Sequence, residues 1–260
     1  MKKQSNSVTE IQVLPLTTGR MVCYIRGITP LIYNAMSSKA RRSLLDPEKK
    51  TQAVKAVTAK HNPLAEFRGS MYTSPTGPTL TTFPAVAFKR ALASVATDLG
   101  GAKKAQVERL VWAIGTQIPV WGIPQLRMDV VRSADMNKTP DVRTRATLTE
   151  WACRIELAYV MPTINETTVA NLLASAGLIR GIGDFRQEKG AGNYGQFELV
   201  AEDDADWKRI VKAGGRKEQQ AAFDSPECYD GESESLFQWW QDEDKRRGRH
   251  TNGRDAEAAS

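Results

Sequence analysis

"EWACRIELAYV" (residues 150–160) organises the reading of this chain. Trp151, Cys153, Ile155, Leu157 and Tyr159 recur at every second position, with Arg154 and Glu156 between them. That is the two-residue period of a strand with one buried face. On either side the pattern changes period. Upstream, "MVCYIRGI" (21–28) reads as a strand running into Thr29-Pro30. A helix begins at Thr82 or Phe83 before Pro84, since proline is tolerated in a first turn, and Gly100-Gly101 are set to stop it. "QIPVWGIPQLRMDVVR" (117–132) gives short strand pieces broken by Pro119, Gly122 and Pro124. After Pro162, Asn165 is placed to cap a helix striped by Val169, Leu172, Leu173 and Ala176, with Gly177 as its expected terminator. A last strand is expected over 194–200.

With residues 33–80 set aside, the order is strand, helix, strand, strand, helix, strand. The expected class is therefore α+β, a modified ferredoxin-like antiparallel sheet with two helices on one face and a long helical insertion. The expected organisation is a flexible segment over 1–20, a core over 21–200 with the insertion at about 33–80, and an acidic C-terminal extension over 201–260. The insertion opens with a basic helical stretch interrupted by Pro47. Its remainder, with Pro63, Gly69, Pro75, Gly77 and Pro78, reads as a long connection or flexible hairpin. In the extension, residues 201–215 suit one more helix, and the low-hydrophobicity end reads as partly disordered.

A chain of 260 residues with 41% hydrophobic and 25% charged content can bury a core of ordinary size. It shows no apolar run of membrane-crossing length, and its first ten residues lack the apolar centre of a signal peptide. A cytoplasmic protein in a bacterial host, away from membranes, is expected. Cys23, Cys153 and Cys228 are far apart and without metal spacing, so they read as buried thiols. With two histidines, His61 and His250, neither near a cysteine pair, neither metal nor cofactor is expected. Neither histidine lies in a recognisable nucleophile–base setting, so the expectation is a protein that is not an enzyme. Charge is unevenly distributed. Residues 201–260 carry 10 Lys+Arg and 15 Asp+Glu, net −5, which leaves 26 basic and 15 acidic groups, net +11, in residues 1–200. A body this basic suits a polyanionic partner, because neutralising phosphates releases counterions.

Three stretches carry candidate contacts. "RMDVVRSADMNKTPDVRTRATLTEW" (127–151) is the densest in basic residues. It supplies Arg132 and, after a turn at Asp141-Val142, Arg143 and Arg145 on the same side of an extended segment, where they can grip successive phosphates. The alternative is a solvated sheet face paired with Asp129, Asp135 and Asp141. "KARRSLLDPEKK" (39–50) offers Arg41 and Arg42, or else a charged helix face balanced by Asp46 and Glu48. "GLIRGIGDFRQEKGAGNYGQFELV" (177–200) holds six glycines. It misses the dinucleotide spacing, since Arg186 stands where the third glycine belongs, and no lysine followed by Ser or Thr completes a phosphate loop. It reads as a strand-contacting hairpin in which Arg186 and Lys189 meet phosphates and Phe185 and Tyr194 stack bases. The competing reading places the two aromatics in the core.

"IRGITPLIYN" (25–34), "FPAVAFKRAL" (83–92), "KTPDVRTRATLTEWACRIEL" (138–157) and the glycine-rich stretch together resemble recurring blocks of bacteriophage and prophage proteins. These in turn look like the RAMP superfamily, the RNA-recognition-like backbone subunits that coat guide RNA in CRISPR effector complexes. The resemblance spans about residues 21–200. It implies an insertion acting as a thumb or finger, a glycine-rich loop near the bound strand, and head-to-tail assembly along single-stranded nucleic acid. It adds Lys89 and Arg90 on the first helix to the candidates. A core without histidine departs from the RNA-cleaving members.

The expectation is a sequence-independent, phage-type binder of single-stranded nucleic acid, DNA in preference to RNA, that forms a homo-oligomer or filament in replication or recombination. In that picture the acidic tail lies over the empty basic groove or recruits replication and recombination proteins. The alternatives are a CRISPR-like guide-RNA subunit or a phage mimic of one, and a structural assembly protein with an acidic protein partner.

Overall fold

The computed structural model describes residues 15–36, 41, 45, 61–132, 140–189 and 192–257. Its centre is a curled antiparallel sheet. Strands β1 (Thr17–Gly27), β3 (Tyr72–Thr73), β4 (Thr81–Pro84), β5 (Val111–Ala113), β6 (Gln117–Trp121), β9 (Ala152–Met161) and β10 (Phe197–Val200) are arranged β10-β1-β9-β6-β4-β3, with β5 also on β9. The quoted stretch is β9, and it is central as its alternation requires: Cys153, Ile155, Leu157 and Tyr159 are buried while Arg154 is exposed. A second sheet has the order β2-β8-β7, from β2 (Leu31–Ile32), β7 (Pro124–Arg132) and β8 (Pro140–Leu148). The architecture is α+β, and strands β1, β6, β9 and β10 with the helices between them are compatible with the expected alternation.

Seven α-helices lie among the described residues: α1 (Pro63–Ser70), α2 (Ala85–Val95), α3 (Lys104–Leu110), α4 (Glu166–Ile179), α5 (Ala205–Ala213), α6 (Arg216–Asp224) and α7 (Gly231–Glu257). Pro84 stands at the N-cap position of α2, which buries Phe88, Leu92 and Val95 against the main sheet, while Thr82 and Phe83, expected to start this helix, belong to β4. Asn165 caps α4 as its position predicts, its side chain accepting from the Thr168 N–H at 2.9 Å. Gly177, however, does not end α4. It lies inside the helix where a Cβ would fall 2.1 Å from the Phe197 carbonyl oxygen, so it lets α4 close onto β10.

Other expectations are corrected. Of the two readings of residues 61–80, a connection or a hairpin, the β3–β4 hairpin is present, and it is preceded by helix α1, which Asn62 caps and which was not expected. Helix α1 covers the edge of β8, where the Ala146 N–H donates to Ser70 Oγ at 2.8 Å. Asp141 and Val142 belong to β8, paired with β7, and form no turn. The last strand starts at Phe197, because the preceding residues bond to other segments. Helix α2 ends at Val95, short of Gly100-Gly101, and α3 and β5 follow it. Arg42 and residues 37–40, 43–44 and 46–60 of the expected insertion lie outside the described residues. Arg41 is helical and exposed.

The acidic extension is helical in its described part and built into the body. The buried Gln219 side chain accepts from the N–H groups of Leu80 (2.7 Å) and Thr81 (2.9 Å) and donates to the carbonyls of Val120, Gly122 and Gly214. The following segment pairs with β7 through Leu126 N–H to Glu227 O and Tyr229 N–H to Leu126 O, each 2.8 Å, and Leu236 and Phe237 pack on the core. A tail joined in this way cannot lie loosely over a groove at residues 227–237. Burial pushes the Cys23 thiol up to about 11 and raises those of Cys153 and Cys228, so all three are poorly reactive. No helix among the described residues is long and apolar enough to cross a membrane. Gln219→Met, close in volume, strands two N–H groups and several carbonyls. It is expected to lower the unfolding free energy by about 2–4 kcal/mol in urea titration.

Candidate nucleic-acid interface

Residues 180–189 and 192–196 leave α4 as a loop with a short 3-10 turn at Gln187–Lys189 and with no strand among the described residues. Its glycines explain its path. Gly181, Gly183 and Gly195 have φ of 64°, 89° and 71°, a region that side-chain-bearing residues avoid. At Gly195 a Cβ would fall 1.7 Å from the Ile182 carbonyl oxygen, and the Ile182 N–H donates back to Gly195 O at 2.9 Å. The loop is fastened to the chain between β1 and β2 by Gly195 N–H to Pro30 O (2.8 Å) and beyond it by Asp184 N–H to Ile32 O (3.0 Å).

Between this loop and α2 opens a cleft of about 270 Å³, lined among others by Asn34, Phe83, Arg90, Gly183, Asp184 and Arg186. It joins two sequence candidates, Arg90 and Arg186, that are far apart in the chain. Arg90 is exposed on α2 and has no hydrogen-bond or ion-pair partner among the described residues. The first turn of α2, including Val86 and Ala87 on the cleft wall, has no side-chain cap. Its N–H groups therefore add positive potential there. Arg186 is held inside the loop: Nε and Nη2 donate to Glu188 Oε2 at 2.9 and 2.7 Å, and Nη1 donates to Gly183 O at 3.0 Å. Burial alone would raise the Glu188 carboxyl. The Ser94 hydroxyl at 2.6 Å and the Arg186 guanidinium instead hold it below the usual carboxylate range.

The same-side arginines of β8 part company. Arg143 is exposed opposite Asp129, but Arg145 is 5% exposed. Arg145 Nη2 lies 3.2 Å from Asp184 Oδ2, and its guanidinium is 5.4 Å from the Phe185 ring centre. The joint grip expected of Arg143 and Arg145 is corrected on this ground: the glycine-rich loop folds over Arg145 and leaves Arg143 outside it. Burial is the largest influence on Arg145 and pulls its pKa down, with Asp184 acting in opposition. Tyr194 is half-buried, its ring 4.7 Å from the Arg127 guanidinium, which Tyr229 flanks from 4.9 Å. Phe185 keeps 38% of its surface exposed. Arg132 is exposed at the end of β7, and Lys89 is half-buried on α2. Lys189 lies in the 3-10 turn, its side chain outside the described part.

Sequence reasoning missed Asn34, Asp184 and Glu188. Asn34 Nδ2 donates to Asp184 Oδ2 at 3.1 Å. The available signal was position, since all three lie inside blocks already singled out. Among the described residues no group of three or more His, Cys, Asp or Glu is arranged to hold a metal ion.

No family model matches this chain, and no curated protein does. Among solved structures it is similar to a chain of the cryo-EM structure of the Type III-B Cmr-beta bound to cognate target RNA. Identity is 15% over 71% of this chain and 59% of that one, with a TM-score of 0.33. This chain thus spans less than two thirds of that chain's length, and a likeness so loose carries no argument.

The different placements of the two β8 arginines separate in stability. Arg143→Ala is expected to change the unfolding free energy by less than about 0.5 kcal/mol. Arg145→Ala, which leaves Asp184 without its cation, is expected to lose about 2–4 kcal/mol in thermal or urea unfolding.

Proposed function

We propose that this protein binds single-stranded nucleic acid without reading its sequence, through the cleft between the glycine-rich loop and α2. The observation that carries the reading is the convergence there of Arg90, which has no partner among the described residues, with Arg186 and the first turn of α2, which has no side-chain cap. Guanidiniums and backbone N–H groups bind phosphate oxygens and ignore the base, so they give affinity without specificity. Phe185, exposed at the loop's corner, offers a face on which a base can stack. The remaining surface cations include Arg132 on β7 and Arg143 on β8.

We read the protein as a binder and not an enzyme. His61 meets Glu66 Oε1 at 2.8 Å and Asp141 Oδ1 at 3.0 Å, and it does not line the cleft. Strand order β10-β1-β9-β6 with α2 and α4 between supports a ferredoxin-like core of RAMP type. In the finer form of the proposal the strand is DNA, coated cooperatively by a homo-oligomer in bacteriophage replication or recombination. One observation favours the guide-RNA alternative: Asp184 places a carboxylate acceptor on the cleft wall, which suits a ribose hydroxyl.

The test is fluorescence anisotropy with single-stranded DNA, single-stranded RNA and duplex DNA of about 30 nucleotides at two salt concentrations. Single strands are expected to bind more tightly than duplex. Arg90→Ala with Arg186→Ala should weaken binding at least tenfold and reduce the salt slope by about 1–2. Glu188→Gln should strengthen binding severalfold by releasing Arg186 from its internal carboxylate. Preference between the two single strands decides between the DNA and RNA forms. Absence of binding to all three at low salt overturns the reading and favours a protein partner.

A further inference from the structure

Two unfavourable features meet behind the glycine-rich loop. The first is electrostatic. Arg127 and Arg145 are register partners on β7 and β8, with side chains 13% and 6% exposed. Each meets one carboxylate: Arg127 Nε lies 2.9 Å from Asp129 Oδ1, and Arg145 Nη2 lies 3.2 Å from Asp184 Oδ2. The Nη1 of both is buried without a hydrogen-bond partner among the described residues. Two buried cations side by side, each with an idle donor, are an arrangement that folded proteins seldom keep without a use.

The second is conformational. Phe185 has φ of 50°, the one positive value at a non-glycine position among the described residues, and bulky side chains rarely adopt it. Its carbonyl oxygen accepts a long bond, 3.3 Å, from the Tyr194 N–H. Gly192 passes so close that a Cβ there would overlap the same oxygen. The ring lies over Arg145 yet stays 38% exposed, so it is a cover and not a core residue.

We propose that Phe185 is the lid of an anion site whose floor is the Arg127–Arg145 guanidinium pair, and that its ligand is a phosphate-type oxyanion. Cross-strand neighbours on a sheet lie about 5 Å apart. Two guanidiniums rising from paired backbone positions suit an anion with several oxygens and more than one charge better than a single carboxylate. Asp129 and Asp184 hold one edge of each guanidinium, and the rings of Tyr194 and Tyr229 flank Arg127, which leaves the two Nη1 donors as the free positions. Opening moves Phe185 out of its unfavourable backbone region, and binding fills both idle donors, so each change relieves one of the two costs. The site is separate from the cleft: neither Arg127 nor Arg145 lines it. The anion is either free or a phosphate of a nucleic-acid backbone.

Calorimetric titration of inorganic pyrophosphate into the full chain at constant ionic strength tests the site. Pyrophosphate carries no base, so any stacking role of Phe185 is not read. Phe185→Gly removes the lid and suits the backbone, and it is expected to bind about tenfold more tightly than the unsubstituted protein. Arg145→Gln in that background should abolish the gain, and Arg143→Gln should not. Equal affinity with and without the lid overturns the proposal. So does a gain that survives Arg145→Gln. If the Arg145 variant does not fold, Asp184→Asn replaces it: freeing Arg145 should raise affinity further, and no change overturns the proposal. Competition between pyrophosphate and a labelled single strand marks the ligand as backbone phosphate, and simultaneous binding marks it as a free oxyanion. Failure of the strand to bind leaves the pyrophosphate result standing.

Discussion

The indole of Trp151 is the contact on which the rest of the structure depends. It is fully buried at the entry to β9, donates from Nε1 to the Thr29 carbonyl at 2.9 Å, and lies on Gly27, where any Cβ would overlap the ring. Its edge meets Phe197 at 6.3 Å between ring centres, and Phe197 in turn meets Phe88 at 6.0 Å. One aromatic chain therefore joins β1, β9, β10 and α2, with Gly177 of α4 closing on the back of Phe197. The position of Thr29 fixes Pro30 and Ile32, and those carbonyls hold Gly195 and Asp184. The cleft inherits its shape from this core.

Arginine acts in this protein as a fastener as much as a source of charge. Arg26 reaches Glu198 and Asp206, Arg209 forms a two-pronged pair with Glu150, and Arg216 donates to the carbonyls of Gly77, Ser74 and Thr79. Arg68 donates to Phe223 O and Asp224 O. A planar guanidinium with several donors can bridge backbone carbonyls on two segments at once, which lysine cannot do with the same geometry. The net charge of the body thus overstates what a ligand meets, and cations such as Arg90 and Arg143, with no partner among the described residues, matter more than the total.

What the sequence disclosed followed from local rules. The two-residue period of β9, the proline at the head of α2 and the Asn165 cap depend on neighbouring residues alone, and all three are found. What it concealed depends on tertiary contact. Alternation puts Arg143 and Arg145 on one face of β8, but only the path of the glycine-rich loop decides that one is covered and the other is not. Gly177 looks like a helix stop until Phe197 is packed against it. Helix α7 carries near its start the apolar patch of residues 235–240, but only the packing of Leu236 and Phe237 shows that this patch faces the core. Gln219, unremarkable as a letter, satisfies five backbone groups across three segments.

The strand order also sets a schedule for the chain as it leaves the ribosome. β1 is made early, but its partners β9 and β10 lie more than a hundred residues later, so the central sheet cannot close until residue 200 has emerged. Contacts of such long range form slowly, and the exposed strands are vulnerable to pairing with other chains meanwhile. Gln219 then bonds the free groups of Leu80 and Thr81, and the segment around Glu227 and Tyr229 covers the edge of β7. The acidic C-terminal segment is, on this view, the last piece of the sheet to be delivered. A shortened chain ending before it would present open strand edges to every neighbour on the same message.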